Sequence, residues 1–245
     1  MYFCHSARMW AEYPQLAAGT LVVDGVSADV ELGDRLEPFF QRARHRLSHQ
    51  TESQMPEVAA WRRAYTQMGL KPTKYRSAAE ALLRRFKREN NLPRLHPLVD
   101  LCNAVSLAFA LPVAVFDLAQ VDGFLEVRHA TGQESYLAFS GEVEHPSPQE
   151  VIFADAGQHV HARRWTFRQS RQSTVREQSR HVLIVSEGLH ETAPTDVAAL
   201  INTLAQNISD LWGAPRRQMM LTAQAPRLDI APPAKINSQS PHEAQ

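Results

Sequence analysis

Polar side chains interrupt the most apolar stretch of the chain, and they are the first candidates for chemistry. Asp100 and Asn103 lie three residues apart in that stretch, and Asp117 ends the next apolar run. Buried polar groups need hydrogen-bond partners, so these side chains either satisfy backbone groups of neighbouring loops or contact a ligand. Cys102 lies between the first two. Because no cation beside it in the sequence would stabilise a thiolate, we expect a buried, inert thiol.

Two histidines, His159 and His161, have the spacing of a metal chelate. Side chains two residues apart on a strand point to the same face, so both could bind one ion. A catalytic zinc site takes three protein ligands, and the sequence offers no evident third. Cys4 and Cys102 form no C-x-x-C pattern, which argues against a structural zinc site and a disulfide framework. The sequence therefore predicts two surface histidines, no metal and no cofactor.

The motifs of the easily recognised enzyme classes are missing from the sequence. It contains no G-x-S-x-G, Walker, G-x-G-x-x-G or H-E-x-x-H pattern, so common hydrolases, nucleotide-binding enzymes and metalloproteases are not indicated. The 26 basic and 26 acidic residues give a formal net charge of zero. Any role in nucleic-acid binding must therefore come from where the charges lie.

Basic residues are concentrated in two places. Residues 61–96 contain ten Lys and Arg against two acidic residues, and residues 163–180 contain six Arg against one Glu. Trp165 and Phe167 lie within the second cluster, and aromatic rings among arginines suit RNA, whose phosphates take the charge while bases stack on the rings. Solvated helix faces are the alternative reading of both clusters. The candidate nucleic-acid-binding residues are Arg63, Lys71, Lys74, Arg76, Arg163, Arg164 and Arg171.

The elements that would position these residues can be predicted from hydrophobic periodicity and capping residues. We expect a hairpin around Asp24 and Gly25 that pairs residues 21–23 with 26–30. Helices are predicted over 33–49, 56–68, 78–90, 97–110 and 195–212. Strands are predicted over 113–116, 124–128, 134–139, 151–154, 160–165 and 181–185.

The predicted organisation is a single domain over residues 1–213, followed by a disordered tail over 214–245 that is rich in Pro, Gln, Ala and Ser. The longest apolar run, residues 104–116, contains Pro112 and is shorter than the ~20 residues that span a bilayer. No secretory signal pattern opens the chain. We expect a soluble, cytoplasmic protein of undetermined oligomeric state.

Several segments, in order, resemble the tRNA-editing domain of the bacterial phenylalanyl-tRNA synthetase β subunit, the B3/B4 domain. Residues 98–103 (LVDLCN) are similar to its V-D-x-T-N stretch, and residues 111–118 (LPVAVFDL) to its G-x-P-x-H-A-F-D-L stretch. Residues 124–128 (FLEVR) and 132–134 (GQE) follow its later strand and turn. Free-standing relatives of that domain resemble the chain further, at residues 3–6 (FCHS), 65–72 (YTQMGLKP) and 164–170 (RWTFRQS).

The resemblance covers roughly residues 1–190, and it implies an α+β fold with a mixed sheet and packed helices. It also implies a stand-alone protein that binds the aminoacylated 3′ end of tRNA and hydrolyses the ester of a wrongly attached amino acid. An aminoacyl ester is already activated. A site therefore needs only to orient water and supply donors to the developing oxyanion, without a Ser-His-Asp triad.

Two positions that line the family's editing pocket differ here, since Cys102 replaces a threonine and Ala114 a histidine. The family's glutamate that reads a tyrosine hydroxyl should fall in residues 181–185, which are apolar after His181. The resemblance therefore predicts that this protein edits another amino acid or binds without editing. Its substrate-binding residues would be Asn103, Trp165, Arg168, Gln169, Cys102 and Ala114, with no catalytic residue assigned.

Two alternatives remain open from the sequence. One is a small-molecule sensor that retains an amino-acid pocket without binding RNA, and the other is an interaction module that uses the basic clusters to hold a protein. The tRNA-binding hypothesis predicts salt-sensitive binding, because contacts to Z phosphates of a single strand give a slope of about −0.7Z in log K against log salt.

Overall fold

Two β-sheets and a layer of helices make up the fold of residues 1–230, which are the residues that the computed structural model describes. The helices are α1 (Ala7–Glu12), α2 (Glu37–His49), α3 (Pro56–Gln67), α4 (Ala78–Glu89), α5 (Pro97–Phe109) and α6 (Ala193–Trp212). The strands are β1 (Tyr2–His5), β2 (Ala17–Asp24), β3 (Val113–Asp117), β4 (Leu125–His129), β5 (Ser135–Leu137), β6 (Val143–Glu144), β7 (Val151–Asp155), β8 (His159–Arg163), β9 (Arg168–Gln169), β10 (His181–Gly188), β11 (Arg217–Leu221) and β12 (Arg227–Asp229).

The larger sheet is mixed and the smaller one is antiparallel. The larger sheet has the order β12-β1-β4-β7-β8-β5-β6, with β9 also paired to β8. Its β1–β4 and β5–β8 pairs are parallel. The smaller sheet has the order β11-β2-β10-β3. This architecture confirms the predicted α+β class with a mixed sheet and packed helices.

The smaller sheet has helices α5 and α6 on one face and the larger sheet on the other, so both of its faces are buried. On β10, Val182 and Ile184 belong to one apolar cluster with α5 and α6. Leu183 and Val185 belong to a second cluster that includes Phe153 of the larger sheet. Alternate side chains of a strand point to opposite faces. The odd-numbered residues of β10 therefore face the space between the two sheets.

Local signals account for most helix ends. The Ser77 hydroxyl accepts a hydrogen bond from the Glu80 amide at the start of α4, as the predicted N-cap requires. Gly69, just beyond α3, has φ 72°, which is the left-handed conformation that favours glycine. Helix α5 is buried on nearly all sides, as its apolar composition predicts.

The backbone structure contradicts the sequence prediction in two segments. The hairpin over 21–30 does not form, because 17–24 is one long strand whose partners are β10 and β11. The tail predicted to be disordered from residue 214 contains β11 and β12, which pair with β2 and β1; the rest of it, 231–245, lies outside the described residues. Across residues 1–230, no helix is both long and apolar enough to cross a membrane.

The close approach of α6 to β2 depends on Gly19. A Cβ at this position would lie 2.5 Å from Ile201 Cγ1 and 2.9 Å from Val197 Cγ1. We expect Gly19→Ala to lower the free energy of unfolding by about 1–3 kcal/mol, because the extra methyl overpacks the interface. Urea denaturation measures the loss. In an Ile201→Ala background the same substitution should cost less, and an equal cost in both backgrounds would contradict the packing argument.

Candidate functional site

A cavity of about 60 Å³ opens between the two sheets. Apolar side chains from both sheets form its walls, among them Ala114, Phe153 and Val185, whereas Glu187 and Gln169 add polar groups. Mostly apolar cavities with a few polar groups are typical of small-ligand sites. This cavity is therefore the candidate site.

Glu187 brings a buried carboxylate to the cavity. It is only 2% exposed, and its Oε1 accepts hydrogen bonds from His5 Nε2 at 2.6 Å and from Trp165 Nε1 at 2.9 Å. Both bonds use Oε1, and within residues 1–230 Oε2 has no hydrogen bond to the protein. A carboxylate held in this way leaves one oxygen to accept a hydrogen bond from a ligand.

The family's pocket glutamate is expected within residues 181–185, and Glu187 lies two residues beyond that range. Strand β10 continues to Gly188, so Glu187 lies on the same face as Leu183 and Val185. A strand prediction extended by two residues would have found it. The expectation of an apolar strand without a pocket carboxylate is therefore corrected.

Trp165 is part of the core as well as of the cavity wall. Its side chain is fully buried, with its ring edge-on to Tyr13 at 4.8 Å and to Trp61 at 4.9 Å between centroids. Arg164 and Trp165 both have positive φ, at 47° and 60°. This backbone conformation is uncommon outside glycine and persists where the surroundings hold it. Because its side chain is fully buried, the Trp165 ring is not available to stack on an RNA base.

Four of the six predicted substrate-binding residues line the cavity: Ala114, Trp165, Arg168 and Gln169. The Gln169 amide donates a 2.6 Å hydrogen bond to the carbonyl of Val115, which ties β9 to the edge of β3. Arg168 is exposed, and its guanidinium lies 3.5 Å from the Glu144 carboxylate. The structure thus brings one half-buried and one exposed polar side chain to the same cavity.

The other two, Cys102 and Asn103, lie on α5, behind the smaller sheet. Cys102 is buried among helix side chains, and that burial raises the pKa of its thiol. Asn103 borders a small hollow with Asp100 and Phe40. These two residues do not line the cavity, because α5 packs against the opposite face of the smaller sheet.

The carboxylates on α5 and at the end of β3 accept hydrogen bonds from neighbouring loops. The Asp100 carboxylate accepts a hydrogen bond from the Leu95 amide. Asp117 accepts one from the Ala119 amide and another from the Ser179 hydroxyl. Of the two readings that the sequence allowed for these carboxylates, the structure supports the one in which they satisfy neighbouring groups.

His159 and His161 share a carboxylate rather than an ion. Their rings contact Asp155 Oδ2 at 3.2 Å and 3.1 Å. His161 is fully buried, so the expectation of two surface histidines is wrong for this residue. Burial tends to raise the pKa of Asp155, but the hydrogen bond from His161 and those from two backbone amides outweigh it and hold that pKa well below its usual range.

One group of three side chains in the described part of the chain has metal-ligand spacing, namely Glu57, His190 and Asp196. Arg46 already pairs with both carboxylate oxygens of Glu57, at 2.7 Å and 2.8 Å. His190 Nε2 contacts Asp196 at 2.8 Å. A guanidinium supplies the positive charge there, so the cluster reads as an ion-pair network.

Much of the basic charge in the two clusters is paired within the protein. Arg163 is 5% exposed, and its guanidinium pairs with both oxygens of Glu150 and with Glu144. The proposed nucleic-acid contact by Arg163 does not fit this position. Six cations of the first cluster pair with three carboxylates, one of which, Glu52, precedes the cluster: Glu80 with Arg62 and Arg76, Glu52 with Arg84 and Lys87, and Glu89 with Arg85 and Arg88.

The remaining candidate cations are more accessible. Arg63, Lys71, Lys74 and Arg171 are exposed, and none of them forms a salt bridge with a residue between 1 and 230. Arg164 is half-buried, with its Nε 3.9 Å from Glu150. Of the seven candidates, these five side chains remain accessible to a polyanion.

Arg163 and Arg171 form a matched pair for separating structure from binding. We expect Arg163→Gln to lower the free energy of unfolding by about 3–5 kcal/mol, because it removes the guanidinium that bonds both oxygens of the buried Glu150 carboxylate. Arg171→Gln should change it by no more than about 0.5 kcal/mol. Urea denaturation at pH 7 compares the two variants, and equal losses would contradict the structural role of Arg163.

The chain is similar in sequence to one domain family and to subunits of a tRNA synthetase. Residues 60–209 match the family model described as the B3/4 domain. The chain is 30% identical over 121 residues to the phenylalanine–tRNA ligase beta subunit of Shewanella oneidensis, covering 49% of this chain and 15% of that protein. It is 32% identical over 75 residues to the same subunit of Chromobacterium violaceum, covering 31% of this chain and 10% of that protein.

A solved structure is also similar in part. It is an N-terminal fragment of the phenylalanyl-tRNA synthetase beta subunit from Pyrococcus horikoshii, with a TM-score of 0.39 and 10% identity. The match covers 50% of this chain and 44% of that one. The two curated subunits are matched over only a small part of their own length.

Proposed function

Because this chain belongs to the B3/4 domain family, we propose that it binds the aminoacylated 3′ end of tRNA and hydrolyses the ester of a wrongly attached amino acid. The observation that carries the proposal is the inter-sheet cavity with the Glu187 carboxylate inside it. The tRNA assignment is supported by the similarity to phenylalanine–tRNA ligase beta subunits. The matched region is a fraction of those subunits, so the proposal concerns hydrolysis and not ligation.

The aminoacyl group would occupy the cavity with its ester at the mouth. Arg168, an exposed cation on the lining, would donate hydrogen bonds to the carbonyl oxygen of the ester, where negative charge develops when water adds to the carbonyl carbon and before the ribose hydroxyl leaves. Water would be the nucleophile, and the apolar walls would hold the aminoacyl group in one orientation towards it. This chemistry fits a site that lacks a serine or cysteine nucleophile on its lining.

The size of the cavity favours a small amino-acid side chain. A cavity of ~150 Å³ accommodates benzene, whereas this one has about 60 Å³. Glu187 adds a hydrogen-bond acceptor, so a hydroxyl or ammonium group at the tip of the side chain would be recognised. We therefore propose a small, donor-bearing amino acid as the substrate, rather than phenylalanine or tyrosine.

The experiment is a deacylation assay on a panel of aminoacyl-tRNAs. It includes all twenty cognate pairs and mischarged ones, with and without the protein. The proposal expects faster loss of one or a few small, donor-bearing amino acids and no acceleration for phenylalanyl or tyrosyl esters. Uncatalysed decay of every ester would overturn the hydrolytic proposal. Tight binding of a free amino acid without any effect of tRNA would favour a sensor instead.

A further inference from the structure

An aromatic pair with a cation lies beside the cavity. The rings of Tyr75 and Phe167 meet edge-to-face, with centroids 5.4 Å apart. The Arg164 guanidinium lies 4.5 Å from the centre of the Tyr75 ring and 5.6 Å from that of Phe167. Lys74 Nζ lies 5.2 Å from the Tyr75 ring. Both rings are half-buried, so part of each remains accessible.

A second hollow begins on the far side of this pair. It has a volume of about 230 Å³ and is lined by Tyr75 and Arg164, together with Met68, Leu70 and the 147–151 segment. Phe167 lines the inter-sheet cavity. The Tyr75–Phe167 pair therefore forms a wall between the cavity and the larger hollow.

The Arg164 guanidinium is held in place at this wall. Its backbone amide donates to Glu150 Oε1 at 3.2 Å, and its side-chain Nε lies 3.9 Å from the same carboxylate. The backbone at Arg164 has φ 47°, which is uncommon for a non-glycine residue. A planar cation fixed beside an aromatic ring is a surface on which a flat, π-bonded ligand stacks.

We infer that the 230 Å³ hollow holds the base of the terminal nucleoside of aminoacylated RNA, stacked against Tyr75 and the Arg164 guanidinium. This inference rests on the proposed function. The amino acid is esterified to the ribose of that same nucleoside, so its base must lie about one ribose away from the aminoacyl group. The Tyr75–Phe167 contact makes the hollow and the cavity direct neighbours, as this requirement demands.

Size and charge support the same occupant. The hollow is larger than the ~150 Å³ that accommodates benzene, so it has room for a fused base. Lys71 and Lys74 are exposed on the segment that carries Tyr75, and neither forms a salt bridge with a residue between 1 and 230. They are placed to meet the phosphates that precede the terminal nucleoside.

The test uses a tRNA acceptor minihelix whose terminal adenine is replaced by fluorescent 2-aminopurine. Wild-type protein should quench the fluorescence on binding. Tyr75→Leu should weaken binding about 5- to 150-fold, the range for losing one base–aromatic stack, and should remove the quenching. Tyr75→Phe, which keeps the ring, should behave like wild type.

Tyr2 provides the matched control. It is also a half-buried tyrosine with a cation on its ring, since the Arg227 guanidinium lies 3.9 Å from the ring centre. Its ring stacks on Phe124 at 5.2 Å, and it lines neither the cavity nor the hollow. Tyr2→Leu should leave both the affinity and the quenching unchanged. A matching loss in Tyr2→Leu would overturn the assignment to Tyr75.

An RNA variant makes the test independent of protein folding. A minihelix with an abasic terminal nucleoside should bind wild-type protein as weakly as the intact minihelix binds Tyr75→Leu. If the intact and abasic RNAs bind equally while the ester is still hydrolysed, the base lies elsewhere and the inference is overturned, but the proposed function stands. If wild-type protein binds no minihelix at all, both are overturned.

Discussion

Replacing Glu187 by glutamine is expected to lower kcat/KM for the preferred aminoacyl ester about 10- to 150-fold, the worth of a hydrogen bond to a charged group. Trp165 Nε1 is a donor only, and it contacts Glu187 Oε1 at 2.9 Å. The amide oxygen of the new glutamine must therefore stay on that side. Its NH₂ group then turns into the cavity, where it meets the donor of the substrate.

The matched control for this substitution is Glu191→Gln, which makes the same chemical change at an exposed site just beyond β10. Steady-state deacylation of the preferred ester, and of an ester with an apolar side chain of similar size, gives the comparison. The Glu187 variant should lose its preference for the donor-bearing substrate, and the Glu191 variant should keep it. An unchanged preference in Glu187→Gln would mean that this carboxylate does not read the side chain.

Replacing Ala114 by leucine is expected to lower deacylation at least 10²-fold while the affinity for tRNA changes little. Ala114 lines the cavity of about 60 Å³, and leucine adds three carbon atoms to that wall. Filling the cavity displaces the aminoacyl group, and a misplacement of ~1 Å is enough to cost 10²-fold in rate. Single-turnover deacylation and a separate tRNA-binding titration measure the two effects.

Ala114→Ser is the control, because it adds one atom and leaves most of the cavity open. It should retain most of the deacylation rate. Both variants need a cooperative unfolding transition like that of wild type, since β3 pairs with β10 through Ala114 and Val185. Full activity in Ala114→Leu would place the aminoacyl group outside this cavity and leave the proposed site without its central observation.

Local elements were predictable from the sequence because their signals lie within a few residues. Periodic apolar positions and a Ser77 cap identified α4, and an almost wholly apolar stretch identified α5. The strand-rich middle followed from β-branched and aromatic runs. The short strand β1 and the late strands β11 and β12 were not predicted. Each has only three to five residues with little periodicity, and its strand conformation depends on pairing with a strand that is distant in the sequence.

Side-chain roles were less predictable than elements. Arg163 and Arg171 belong to the same arginine-rich segment, yet one is buried on Glu150 and the other is exposed. Strand β8 places Arg163 against Glu150, which lies in the segment before β7. The composition of the arginine-rich segment does not indicate that contact. The same limit applies to Cys102 and Asn103, which the sequence resemblance assigns to the pocket and the fold places behind the smaller sheet.

The sequence by itself determined the α+β class, the family, and most helices and strands. It also identified the segment 164–170, in which Trp165, Arg168 and Gln169 line the cavity. Only the tertiary structure decided that His5, Trp165 and Glu187 meet. The His5–Glu187 contact joins two residues that are 182 positions apart in the sequence. Such contacts depend on long-range strand pairing and on which face of each strand is buried, and a shift of one residue reverses that face. Local sequence patterns do not encode that choice.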